Sequence, residues 1–213
     1  MQPKTYTLLL VTLSIILSSC ATTKSTNTGW IKLFDGNTLN GWRANRNPES
    51  FSVAEGRLAV KGEVSHLFYE GPVANHNFKN FEFKAKVMTK PGANSGIFIH
   101  TAPQAEGWPA AGYEVQVNNS QSDWRRSGSL YAVSDVKEVF VKDNEWYETY
   151  VKVQDKHIII KINDRTVVDY TEPESVSNNA SVKRKFSSGT FAIQAHDLGS
   201  LVFYKDIYVR LLP

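Results

Sequence analysis

The sequence predicts an all-β protein, a single antiparallel β-sandwich or barrel. Three observations predict it. Segments of alternating apolar and polar residues recur from Trp30 to the end, bounded by Gly, Pro, Asn or Asp clusters such as "KPGANSG" and "EGWPAAG". No run keeps a helical period over three turns. Aromatic residues are plentiful, with five Trp, nine Tyr and eleven Phe in 213 residues, enough for the core of such a fold.

The elements follow in chain order. "WIKLF" is a first strand, ended by the Asp35-Gly36-Asn37 turn. "FSVAEGRLAV" reads as a hairpin around Glu55-Gly56. "NFEFKAKVM" sets Phe81, Phe83, Ala85 and Val87 against Glu82, Lys84 and Lys86. "SGIFIHT" is nearly all apolar, as a central strand buried on both faces requires, with Phe98 and His100 on one side. "YEVQVN" and "SLYAV" follow. Strict alternation in the first puts Tyr113, Val115 and Val117 on one face and Glu114, Gln116 and Asn118 on the other, about 7 Å from one to the next. "WYETYVKVQ", "HIIIKIND" and "RTVVDY" form a meander that turns at Asn163-Asp164. "GTFAIQAHD" sets Phe191, Ile193 and Ala195 against Thr190, Ala192, Gln194 and His196. "LVFYKDIYVRLL" closes the chain, with Leu201, Phe203, Ile207, Val209 and Leu211 expected inward, interrupted by Lys205, and the strand expected beside the first one.

Residues 1–20 read as a targeting signal rather than as part of the fold. Lys4 is the basic head, "YTLLLVTLSIIL" is an apolar stretch too short to span a bilayer comfortably, and Leu17-Ser18-Ser19-Cys20 resembles the bacterial lipobox. Cys20 is then the lipidated first residue of the mature protein. It is the sequence's only cysteine, which excludes disulfides and thiolate metal sites from the mature domain. Residues 21–29 are a polar tether, and residues 30–213 form one domain. The expected location is the cell envelope, on an outer membrane facing the periplasm, held by a lipid. Formal net charge is only +3 with both signs interspersed, which offers no footprint for nucleic acid. Lys183-Arg184-Lys185 reads as a solvated loop.

Two strands offer polar faces, Glu114/Gln116/Asn118 and Gln194/His196, and parity allows His100 to join them. Amides, a carboxylate and imidazoles in a row suit a ligand rich in hydroxyls. Trp108, Trp124 and Tyr131 lie nearby in the sequence and offer flat surfaces for the C–H face of a sugar ring. Conventional glycoside hydrolysis needs two carboxyl groups about 5–9 Å apart. The strand carries only one, so that route needs Asp123 or Asp197 to reach in from a loop. One Glu with His partners suits proton abstraction, or a carboxylate–imidazole metal site. His66, His76 and His157 read as surface residues.

In order along the chain, "LFDGNTLNGW", "FKNFEFKAKVMTKPGANSGIFIHT", "GYEVQVNNS", "GSLYAV" and "FAIQAHDLGSLVFYKDIYVRLL" resemble the blocks of the bacterial 3-keto-disaccharide hydrolase family over residues 30–213. The resemblance, and only the resemblance, implies a two-sheet antiparallel sandwich, a concanavalin-like jelly roll, acting on glycosides whose C3 hydroxyl is already a ketone. It implies Glu114 and His196 as the reactive centre or the ligands of a divalent metal, with His100 next to them where many members carry Arg. Gln116, Asn118, Gln194 and Asp197 are then expected to hold the substrate, Arg126 and Tyr131 to flank it and Trp108 to stack on it. Asn37 stands where a Lys is usual. Two other functions stay open at this point: a carbohydrate-binding module without chemistry, and a laminarinase-like hydrolase acting on unoxidised glucans.

Overall fold

The computed structural model describes Met1 and residues 29–174, 176 and 184–213. The expected signal segment, the lipobox with Cys20 and all but the last residue of the tether lie outside the described residues. Among the described residues no helix is long and apolar enough to cross a membrane.

Thirteen strands run β1 (Ile31–Lys32), β2 (Trp42–Ala44), β3 (Phe51–Ala54), β4 (Arg57–Val60), β5 (Ser65–Tyr69), β6 (Phe81–Thr89), β7 (Asn94–Thr101), β8 (Tyr113–Asn118), β9 (Tyr147–Gln154), β10 (His157–Ile162), β11 (Arg165–Thr171), β12 (Thr190–Ala195) and β13 (Val202–Leu211). They form two antiparallel sheets. One has the order β11-β10-β9-β6-β13-β4-β3, with β1 on the edge of β13; the other has the order β2-β5-β12-β7-β8. Phe81, Phe83, Tyr113, Val115, Tyr147, Phe191, Ile193 and Tyr204 meet between them, each 1% exposed or less.

Most expected strands form. The β3–β4 hairpin turns at Glu55-Gly56, both at positive φ (52° and 75°), as a two-residue primed turn requires. The β9–β10–β11 meander turns at Asn163, and Ile31 pairs with Val209, so the chain ends do meet. "SLYAV" forms isolated bridges and a turn instead of a strand, and β2 and β5 arise where no strand was expected.

Two departures in parity have a common cause. In β13, Asp206 takes a left-handed φ of 52° and the register against β6 slips between Lys205 and Tyr208. The inward residues are therefore Val202, Tyr204, Ile207 and Val209, while Leu201 and Phe203 lie on the outside; Leu211 keeps the parity of Val209 but is exposed at the end of the strand. In β7, His100 takes a φ of 54°, and the β7–β12 register slips between Thr190 and Ala192. A left-handed residue turns its side chain out of strict alternation. His100 accordingly leaves the face that Phe98 occupies.

Candidate active site

The face of the five-stranded sheet away from the core is the floor of a cavity of about 260 Å³. Register sets its rows. Phe68, Ala192, Phe98 and Glu114 are successive cross-strand partners on β5, β12, β7 and β8. The next row runs through His66, Gln194, Gly96 and Gln116. Loops supply Trp108, Pro109, Asp123 and Tyr131, and the segment entering β12 supplies Arg184.

Glu114 sits on edge strand β8, 7% exposed. Its Oε1 accepts a hydrogen bond from Gln194 Nε2 at 3.2 Å, and its Oε2 lies 3.9 Å from the Arg184 guanidinium. Burial pushes its pKa up to about 7; Arg184 and the Gln194 bond pull the other way. Space for the carboxylate comes from Gly96 on the neighbouring strand: a Cβ there would stand 2.6 Å from Oε1. Arg184 lies 5.6 Å from the centre of the Tyr131 ring, and burial lowers its own pKa.

His196, one residue past β12, also lines the cavity. Its Nδ1 is 2.6 Å from Asp197 Oδ2, and Asp197 is itself held by Ser200 Oγ and the Gly199 amide. That pairing fixes the ring and leaves Nε2 for the cavity. The Trp108 ring lies 5.8 Å from His196 and is half exposed. Phe98, Trp108 and Pro109 thus form an apolar wall facing the polar groups of β8 and β12, the mixture that a sugar ring with one C–H face needs.

The cavity therefore unites six of the expected residues, Glu114, His196, Gln116, Gln194, Tyr131 and Trp108. Asp197 stands behind His196. Three expected residues are placed elsewhere. His100 is buried against Phe81 and Phe186, its Nε2 2.8 Å from the Lys79 carbonyl, and it lines a different hollow beside His76 and Gly189. Asn118 has the predicted face, but its amide is consumed: Nδ2 donates to the Asp123 and Arg125 carbonyls, and Oδ1 accepts from Gln121 N and Arg126. Arg126 spends its guanidinium on that same loop. The surface reading fails for His66, which is wholly buried.

Asn94, Phe98, Pro109 and Arg184 line the cavity without having been singled out. Asn94 was legible, because it shares parity with Gly96 and Phe98 once β7 is begun one residue earlier. Arg184, read as solvated, lies in a stretch with no period to read. A divalent cation is compatible with the donor set. Glu114 and His196 Nε2 could hold it, together with the buried Oδ1 of Asn94 and Oε1 of Gln194, which have no hydrogen-bond partner. Among the described residues no group of three or more His, Cys, Asp or Glu side chains converges.

A family model described as the 3-keto-alpha-glucoside-1,2-lyase-like domain matches residues 29–210. A 3-keto-disaccharide hydrolase of Bacteroides thetaiotaomicron is 28% identical over 169 residues, 67% of this chain and 58% of the relative, so the chain spans under two thirds of that relative's length. Among solved structures, a candidate glycosyl hydrolase from Parabacteroides distasonis ATCC 8503 superposes with a TM-score of 0.74 at 21% identity, covering 87% of this chain and 94% of the other. The carbohydrate-binding module CBM66 from Bacillus subtilis gives 0.57 at 13% identity, covering 80% and 95%. These two likenesses establish the sandwich fold.

Proposed function

The chain belongs to the 3-keto-alpha-glucoside-1,2-lyase-like domain family, and from that premise we propose that it cleaves 3-keto-glycosides by elimination through an enolate, with water adding afterwards. The observation that carries this reading is a lone buried carboxylate, Glu114, with a pKa near neutrality beside a fixed cation. The C3 ketone acidifies the C2 proton. Glu114 takes that proton, and the electron pair moves into the C2–C3 bond as the enolate forms. The enolate then collapses, the C1–C2 double bond forms and the C1–O bond breaks. His196 presents Nε2 to the departing oxygen as the proton donor while Asp197 holds Nδ1. Arg184 supplies positive charge beside Glu114 for the developing enolate oxygen. Gln116 and Gln194 hold ring hydroxyls, and Trp108 packs on the C–H face. If Glu114 and His196 Nε2 instead held a divalent cation, it would polarise the ketone, and the two residues would not then serve as base and acid.

Asp123 gives a second reading, conventional two-carboxylate hydrolysis, because it lines the same cavity. Against it, Asp123 Oδ1 accepts from the Arg125 amide and ion-pairs with the Arg125 side chain, as a loop brace does. Asp123→Asn separates the two. Elimination predicts retained turnover of a 3-keto-glucoside and none of the unoxidised glucoside; two-carboxylate hydrolysis predicts turnover of the unoxidised glucoside by the parent chain and its loss in the variant. We further infer that the domain works from a membrane surface, tethered through Cys20; metabolic labelling with a fatty acid, lost in Cys20→Ala, tests this.

A further inference from the structure

Beneath Trp108 lies a polar patch of which the steps above use only Gln194. His66 on β5 is 0% exposed, and neither ring nitrogen has a hydrogen-bond partner. Its cross-strand partner is Gln194, whose Oε1 is also unpartnered, as is the Nδ2 of nearby Asn45. The imidazole is enclosed by aromatic rings: Phe98 at 5.2 Å, Trp108 at 5.4 Å and Phe68 at 6.3 Å. Burial holds it neutral, with a pKa lowered to about 4. A bare donor and a bare acceptor in such surroundings cost stability that Phe or Leu at this position would not.

What covers His66 is the Trp108 ring, carried on a loop. Trp108 is 48% exposed. Gln104 braces its loop from within, donating to the Glu106 and Trp108 carbonyls and accepting from the Ala110 amide. Gly107, at a φ of 73° and with only the Gln104 side chain near it, gives the loop backbone freedom next to Trp108. The loop can therefore shift as a unit.

We propose that Trp108 lids a second sugar subsite, floored by His66 and Gln194, that takes the ring on the leaving-group side of the scissile bond. The proposal rests on the 3-keto-glycoside reading. His66 and Glu114 are three strands apart, roughly 14 Å at the usual strand spacing, which leaves room for a ring beyond the one over Glu114. Between them Phe68, Phe98 and Ala192 form an apolar cluster of their own, apart from the main core, on the sheet face that bears the cavity. Such a strip suits the C–H face of a second pyranose. A neutral imidazole offers one donor and one acceptor, and a sugar hydroxyl can satisfy both.

The test compares methyl 3-keto-glucoside with a 3-keto-disaccharide. His66→Phe conserves volume, and it should lower kcat/KM for the disaccharide about tenfold while leaving the methyl glycoside unchanged. Equal loss on both substrates, or on neither, overturns the subsite. A second measurement does not depend on that variant folding: the ¹⁵N resonances of the His66 ring in Glu114→Gln should move with the disaccharide and stay still with the methyl glycoside. Resonances that stay still with both overturn the proposal. If the parent chain turns over neither 3-keto substrate, the functional reading falls by itself; the His66 resonances, read with an unoxidised disaccharide, then decide the subsite alone, a shift supporting it and no shift ending it.

Discussion

Glu114 owes its chemistry to its neighbours, and each neighbour makes a prediction. Because burial raises its pKa to about 7, the base form accumulates as pH rises, so kcat/KM should show a rising limb centred near pH 7. Arg184 opposes that rise. Arg184→Met should move the climbing limb to higher pH and lower kcat by about 10²–10³; a limb that stays in place would show that the two groups do not interact. Gly96→Ala should lower activity through the base alone, since its new methyl meets the carboxylate oxygen at 2.6 Å. The raised pKa also has a cost in stability. The folded chain keeps a proton that the unfolded chain, at an ordinary 4.5, gives up, so the contribution of Glu114 alone to stability falls as pH rises from 4.5 towards 7. Urea melts should show Glu114→Gln more stable than the parent at pH 8, by on the order of 3 kcal/mol, and no gain at pH 4. Glu114, Gln116 and Gln194 were legible because alternation fixes which face a strand residue uses. Asn118 shows the limit: its face was right, but nothing in a sequence says that its amide is already taken by a neighbouring loop.

Elements were legible wherever the alternation ran unbroken, as in β6, β8 and the β9–β11 meander. It misled where one residue adopts left-handed geometry. Asp206 reverses the parity of half of β13 and sends Phe203 out beneath Arg57, 4.5 Å from its ring centre. His100 does the same at the end of β7 and enters the interior. Its backbone there is close-packed: a Cβ on Gly112 would come within 2.0 Å of the Ile99 carbonyl. The connection that delivers Arg184 has no period at all, so it had no sequence signal beyond its charge. Its placement depends on Glu172 at the end of β11. That carboxylate, 4% exposed, accepts from both the Tyr113 hydroxyl and the Phe186 amide, two residues from Arg184. Glu172→Ala leaves both donors without an acceptor and frees the segment. It should reduce kcat/KM about tenfold or more and shift the rising pH limb in the same direction as Arg184→Met. Reduced activity with an unmoved limb would make Glu172 a matter of stability alone.

At the scale of the molecule, both sheets build the core between them and the outer face of the five-stranded one bears the site, and the polar groups sealed in the site-bearing half set the acid response of the whole fold. His66 and His100 are both lowered from 6.5 to about 4 by burial. Between pH 6.5 and 4.5 the unfolded chain binds two imidazole protons that the folded chain refuses, while the folded chain holds the one on Glu114. Unfolding therefore takes up about one proton net, and stability from these groups should fall by about 1.4 kcal/mol per unit as pH drops through that window. His66→Phe should remove most of that slope, and a denaturation profile flat in both proteins would contradict the burial assigned to these rings. The sandwich was legible from turn spacing and alternation; its concave polar face was legible in part, because loops rather than strands bring Arg184, Asp123 and Trp108 over it. The central claim is that Glu114 removes a proton next to a ketone. Mixing the protein with methyl 3-keto-glucoside and recording the ultraviolet absorbance of the conjugated enone tests it most directly. The account predicts an enone signal with the parent chain and none with Glu114→Gln, which still binds the sugar by calorimetry. Equal enone formation by the two proteins, or release of methanol from unoxidised methyl glucoside by the parent chain, would contradict it.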